Sequence, residues 1–185
     1  MTDTKRKTYT MTSAALMTAV MCILAPVSVP IGPIPISLAT LVIYFSIFIL
    51  GTSRALLSCV LYILIGAVGL PVFSGFSGGV TKLFGPTGGY ILGYLFLILI
   101  SGIMLEKLAK GKTGVMLKAM QLLSLIIGTA VLYTFGLMWF CRVSGMAAGP
   151  ALALTVYPFI PLDLCKIILA VIIAPVIADK IKTIV

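Results

Sequence analysis

The stretch PFIPLDLCKIILAVIIAP, residues 158–175, is almost wholly apolar yet carries Asp163 and Lys166 three residues apart near its head. A membrane-spanning helix needs about 17–25 mostly apolar residues, and this run, read as a helix over 162–178, satisfies that. Residues three apart share one helix face. A charge at the centre of a bilayer costs about 2.5–3.5 kcal/mol on insertion scales, so two charges kept here call for a reason.

The rest of the chain has the same character. Its 185 residues are 61% hydrophobic and 9% charged, against about 25% charged in soluble domains. Too few charges remain to cover a water-facing surface. This predicts an all-α integral membrane protein, with residues 1–185 forming one domain. Apolar runs place six transmembrane helices at 9–27, 36–50, 55–69, 88–105, 119–140 and 162–178, after a short tail at 1–8. Lipid offers no partner to free backbone polar groups, which makes helices the economical reading of such runs. The basic start before the first run has the form of a secretory signal. No small-residue cleavage site stands out, so a retained first helix is expected.

The net charge of +9 could suggest nucleic acid, but the cations are sorted by topology. Lys5, Arg6 and Lys7 precede the first span, and Arg54 separates the second and third. Lys107, Lys110, Lys112 and Lys118 lie between the fourth and fifth, and Lys180 and Lys182 follow the sixth. All of these fall on one side of a six-span chain; the other side has Lys82 and Arg142. The positive-inside rule then puts both termini in the cytoplasm. The lipid bilayer is the expected partner of these cations, and nucleic acid is not.

Catalytic parts are scarce. The chain has no histidine, and Asp3, Glu106, Asp163 and Asp179 are its only acids. Cys22, Cys59, Cys141 and Cys165 lie in or beside apolar runs without CxxC spacing, as small buried hydrophobes do. The glycine-rich stretches SGFSGG (74–79) and GPTGGYILGY (85–94) do not match a phosphate-binding loop. Gly78 and Gly79 are read instead as serving close backbone approach to a ligand or a tight turn. The connections 27–37 and 69–89 are apolar for loops, and irregular backbone at membrane depth is tolerated where it is buried or lines a cavity. Neither an enzyme nor a metal site is expected.

Asp163 and Lys166 then weigh as a site. With cytoplasmic termini the last helix enters from outside, so the pair lies about one turn into its outer end. There the helix N-terminus favours Asp163. One reading is a helix cap with a snorkelling lysine, although a lysine at a helix N-terminus faces the wrong end of the dipole. The other is a polar site turned into the bundle. A carboxylate accepts and an ammonium donates, which suits adjacent N–H donors beside a carbonyl, as in a urea. Lys82 and Arg142 are either interfacial anchors or outer cations that attract an anionic substrate such as a carboxylate. Ala15 and Ala19, four apart in the first span, permit close helix approach, either inside the bundle or against another membrane protein.

Four segments together resemble one family: GPIPISLATL (32–41), GLPVFSG (69–75), GPTGGYILGY (85–94) and PFIPLDLCK (158–166). They are similar, in order and through nearly the whole chain, to BioY, the biotin-binding S component of energy-coupling factor (ECF) transporters. The resemblance implies a multi-pass protein of a prokaryotic plasma membrane. It would bind biotin as transported ligand, hold no cofactor, and work with a transmembrane T component and two ABC-type ATPases. It implies that Asp163 and Lys166 contact the ureido ring and that Tyr90 lines the pocket. The loops around GPIPIS and FSGFSGG would cap it. Ala15 and Ala19 would form the surface that meets the T component. The chain departs at Ala39, where the family often has glutamine, and in carrying Lys82, which could meet the biotin carboxylate. A self-sufficient secondary carrier of biotin or another small organic anion is the rival reading. Such carriers often show internal repeats, and none stands out here.

Overall fold

The first helix, α1 (Asp3–Leu24), stops short of Pro26, whose ring and missing N–H cannot continue it. The computed structural model describes residues 3–30 and 33–184, with side chains over 8–30 and 33–181. Gly32 of the 32–41 segment, and the side chains of Lys5, Arg6, Lys7 and Lys182, lie outside the described residues. Helix α1 takes in most of the tail expected at 1–8.

Prolines at 30, 33 and 35 argue against a helix in the next segment, since a residue before proline is steered away from helix. Strand β1 (Ser28–Val29) pairs antiparallel with β2 (Ile36–Ser37), Ser28 opposite Ser37 and Val29 opposite Ile36. The expected second span, 36–50, loses its first residues to this hairpin. Helix α2 (Ala39–Leu50) begins where the Ser37 hydroxyl accepts the Ala39 N–H at 3.1 Å. This small hairpin holds the only two strands among the described residues of an otherwise helical chain.

Gly51 alone turns α2 into α3 (Thr52–Ala67), at φ +77°, where side chains are strained. Beyond α3 the chain folds into a tight loop in which Phe73 and Ser77 exchange backbone hydrogen bonds at 2.8 and 3.3 Å. The Gly75 N–H donates to the Pro26 carbonyl at 3.1 Å, stitching this loop to the connection between α1 and β1. A short α4 (Val80–Phe84) leads into α5 (Gly88–Leu108), α6 (Gly114–Ser144), a second short helix α7 (Ala148–Thr155), and α8 (Ile160–Ile184). Pro161 sits in the first turn of α8, where its missing N–H has no intrahelical partner to lose.

Three of these helices are long and apolar enough to cross a membrane: α5, α6 and the Ile160–Ile181 part of α8. The Thr8–Leu24 part of α1, α2 and α3 are apolar but shorter. At 12 residues, α2 is about 18 Å long, against about 30 Å of hydrocarbon core. The hairpin leads directly into the N-terminal end of α2.

Helices α5 and α6 pack closely because glycines face side chains across the seam. A Cβ on Gly93 would sit 2.6 Å from Leu132, and one on Gly128 would sit 2.0 Å from the Ser101 hydroxyl. With Gly89 against Trp139, the pairings run antiparallel. Helix α1 is held on α3 by hydroxyls: Thr18 donates to the Ser58 carbonyl at 3.2 Å, and Ser58 to that of Ala14 at 3.0 Å. Ala15 and Ala19 consequently fall on the other face of α1 and are exposed.

The charges segregate by end. Arg54, at the start of α3, lies 5.7 Å from the Tyr9 ring, and the Thr52 hydroxyl donates to the Glu106 carboxylate. The start of α1, the α2–α3 turn and the lysine-bearing α5–α6 connection therefore meet at one end of the bundle. The hairpin, the 68–79 loop and the start of α8 occupy the opposite end.

Candidate functional site

Asp163 lies in the first turn of α8, where the helix dipole favours negative charge, and is 3% exposed. Its Oδ1 accepts hydrogen bonds from the Lys166 ammonium at 2.8 Å and the Thr40 hydroxyl at 2.9 Å. Its Oδ2 accepts one from the Tyr133 hydroxyl at 2.6 Å. The Lys166 Nζ also donates to the Ser37 carbonyl at 2.8 Å and to Thr40 Oγ1 at 3.1 Å. A buried ion pair needs such partners to offset its desolvation. Lys166 does not snorkel, because its ammonium is tied to three interior acceptors.

These residues come from four elements: β2, α2, α6 and α8. Between them lies a cavity of about 40 Å³, space for very few waters. Ile34, Ile91, Leu132 and Phe159 form its apolar walls. Thr40, Tyr90, Tyr94 and Tyr133 bring hydroxyls to it, beside Asp163 and Lys166. Among the described residues, no three His, Cys, Asp or Glu side chains cluster as metal ligands.

The bonding pattern states what a ligand could add. A carboxylate has about four lone-pair sites, so Asp163 Oδ2 keeps room beside Tyr133. The Tyr133 oxygen donates to Asp163 and can accept in turn. Two N–H donors on one ligand edge would find both. The Lys166 ammonium has three N–H groups and three partners, so a ligand carbonyl must replace Ser37 or Thr40 to reach it.

Tyr90 lines the cavity, its hydroxyl donating to Thr155 Oγ1 at 2.9 Å. Gly78 and Gly79 do not line it. A Cβ on Gly78 would lie 2.2 Å from the Leu70 carbonyl, and Gly79 has φ +91° ahead of α4, so both serve the fold of the loop. Lys82 lies on α4, partly buried and outside the cavity lining. Ala39 is 1% exposed in the core and also off the cavity; the adjacent Thr40 makes the polar contact there. Ala15 and Ala19 are remote from the site, on the exposed face of α1.

The family model described as the BioY family matches residues 1–183. The chain belongs to the BioY family. It is 38% identical over 160 residues to the probable biotin transporter BioY of Pyrococcus horikoshii, covering 86% of this chain and 90% of that protein. It is 32% identical over 161 residues to the biotin transporter BioY of Thermotoga maritima, covering 87% and 90%. The solved structure of the S-component for biotin from an ECF-type ABC transporter matches with a TM-score of 0.86 at 30% identity, covering 97% of this chain and 95% of that one. These relatives are named as transporters, not enzymes.

Each segment that carries the BioY resemblance reaches the cavity. The 32–41 segment supplies Ser37 and Thr40, and 69–75 supplies Ser74. The 85–94 segment supplies Thr87, Tyr90 and Tyr94, and 158–166 supplies Phe159, Asp163 and Lys166. Sequence reasoning missed Thr40, Tyr133 and Thr87. Thr40 and Thr87 sit inside the segments that carry the family resemblance, and that placement is their signal. Tyr133 lies in an apolar span outside every segment, and only the need of a buried tyrosine hydroxyl for a partner points to it.

Proposed function

We propose that this chain is the biotin-capture subunit, the S component, of an ECF-type ABC importer. The observation that carries this is the buried Asp163–Lys166 pair, opening with Tyr133 onto a small and largely apolar cavity. Biotin has a urea in a fused ring system and an apolar chain, and a mostly apolar pocket with few convergent polar groups suits it. Asp163 and Tyr133 take the ureido N–H groups, Lys166 takes the ureido oxygen, and Tyr90 packs along the ligand. The names of the relatives and of the matching solved structure support the same reading.

The topology follows. Residues 1–185 form one unit that crosses a prokaryotic plasma membrane six times, through α1, α2, α3, α5, α6 and α8. The end rich in lysine and arginine is cytoplasmic by the positive-inside rule, with both termini there. The site then faces outward. The hairpin and the 68–79 loop cap it, with Gly78 and Gly79 setting the loop's shape. Lys82 acts from outside, as a cation that draws in the anionic vitamin. The cavity of about 40 Å³ widens as its walls part around biotin, and the caps open for entry and close behind it.

The chain has no Walker motif. Concentrative uptake requires a T component and two ATPases, met through the exposed face of α1 at Ala15 and Ala19. No cofactor takes part. The test is calorimetry on the purified chain in detergent with biotin, desthiobiotin, thiamine and riboflavin. Tight one-to-one binding of biotin over thiamine and riboflavin is expected. Folded protein that binds no biotin overturns the reading.

A further inference from the structure

The polar groups at the ion-pair end of the cavity satisfy one another, but one at another position on its wall is left over. Thr87 lines the same cavity, is 6% exposed, and its Oγ1 is buried with no hydrogen-bond partner among the described residues of the protein. It occupies the N-cap position of α5, a helix of 21 residues, yet its side chain makes no capping bond. The reason is in the backbone. An N-cap side chain reaches its helix from extended geometry, whereas Thr87 has φ −85° and ψ −12°, which is helical. Its carbonyl takes the N–H groups of Tyr90 and Ile91 at 3.1 and 3.2 Å, leaving the hydroxyl free for something else.

The neighbouring glycines do not explain the feature. A Cβ on Gly88 would strike the Leu83 carbonyl and one on Gly89 the Trp139 side chain, so packing requires both. A valine at 87 would fill the same space without an unpaired polar atom. A buried hydroxyl with no partner from the protein costs free energy, and each such group in a native structure calls for an explanation, which a ligand in this cavity supplies.

We infer that Thr87, at the positive N-terminal end of α5, receives the carboxylate end of the bound ligand. This rests on the proposed function and adds its second pole. Asp163, Lys166 and Tyr133 hold the ring, and Thr87 donates its O–H to the carboxylate, where the α5 dipole favours negative charge. Asp163 is the only acidic residue on the cavity wall, and it is neutralised by Lys166. Lys82, off the wall, is not needed for this contact.

The test compares biotin with an analogue whose carboxylate is replaced by a methyl group, by calorimetry on the purified full chain and on its Thr87→Val and Thr87→Ser variants. For Thr87→Val we expect biotin affinity to fall about tenfold and affinity for the methyl analogue to stay within about twofold. Thr87→Ser keeps the hydroxyl and should restore most of the biotin affinity. The ligand-free melting temperature of Thr87→Val should hold or rise, because an unpaired buried hydroxyl is gone. Unchanged biotin affinity in Thr87→Val, or equal losses for both ligands, overturns the inference. Wild-type protein that binds neither ligand overturns the proposed function and this inference together. Wild-type protein that binds biotin normally beside an unaffected Thr87→Val overturns the Thr87 assignment alone.

Discussion

Replacing Asp163 by asparagine keeps the shape of the side chain and removes its charge. In the native site Oδ1 holds two donors and Oδ2 holds one. In Asp163→Asn one of those oxygens becomes an NH₂ that faces donors, so either the Tyr133 hydroxyl or the Thr40–Lys166 pair loses its acceptor. In the second case the Lys166 side chain, 13% exposed, keeps only Ser37 and Thr40 around its ammonium. A hydrogen bond to a charged group contributes about 1.5–3 kcal/mol, against about 0.5–1.5 kcal/mol for a neutral one. A ureido N–H bonded to residue 163 therefore weakens by about 1.4 kcal/mol or more, a tenfold or larger rise in Kd.

The assay is calorimetry with biotin, paired with thermal unfolding in the same detergent. Asp163→Asn protein that melts close to wild type and binds biotin with unchanged Kd would refute the role assigned to Asp163. A Lys166→Met variant closes the cycle. One ligand group that engages both residues makes their effects non-additive, by about 0.5–3 kcal/mol. Strictly additive losses would mean that Asp163 and Lys166 act on the ligand separately.

Three further outcomes are expected. Tyr133→Phe removes one donor to Asp163 and one acceptor for the ligand, and should weaken biotin binding by about 0.5–1.5 kcal/mol; an unaltered Kd limits Tyr133 to a packing role. Lys82→Met should leave the Kd within about twofold while slowing association most at low salt, as loss of a distant steering charge does; a tenfold weaker Kd would place Lys82 in the site. Ala15→Trp covers the exposed face of α1 and should spare biotin binding in the isolated chain but impair ATP-driven uptake in cells that carry the energising module. Lost binding would instead mean that this face packs against the chain itself.

The charges were legible because they are few. Asp163 and Lys166 stand out in residues 158–175, where every neighbour is apolar, proline or cysteine, and helical spacing alone puts them on one face. The long spans were legible for the same reason, since α5, α6 and α8 are continuous apolar runs. The hairpin was not, because Ile36 and Leu38 continue the apolar pattern of α2; only prolines 30, 33 and 35 argue for extended chain there. Helix α7 escaped notice because its eight residues, with Gly149 and Pro150 near the start, look like a loop. The neutral partners were the least legible. Thr40, Thr87 and Tyr133 resemble other hydroxyl residues in apolar helices, and what distinguishes them is contact across the bundle. Thr40 meets Asp163 over 123 positions of chain, a separation that no local pattern encodes.

That separation also sets how the site can respond to a ligand. Lys166 joins the start of α8 to the hairpin carbonyl at Ser37 and the α2 hydroxyl at Thr40 at once. With all three N–H groups in use, a ureido oxygen can reach the ammonium only by displacing Ser37 or Thr40. Displacing Ser37 loosens the hairpin from α8; displacing Thr40 leaves the hairpin held and frees the Thr40 oxygen as an acceptor. The second exchange preserves the cap and gives Thr40 an acceptor role in place of the lost bond. Thr40→Val separates the two routes. It removes the Thr40 bond in advance, so under Thr40 displacement the ligand meets an open N–H and affinity is held or gained, apart from the loss of the Thr40–Asp163 bond. Under Ser37 displacement the last anchor of Lys166 besides Asp163 is broken on binding, and affinity falls sharply. Hydrogen exchange of the 26–38 segment, measured with and without biotin, decides between them: protection that rises on binding keeps Ser37 as an anchor, and protection that falls releases it.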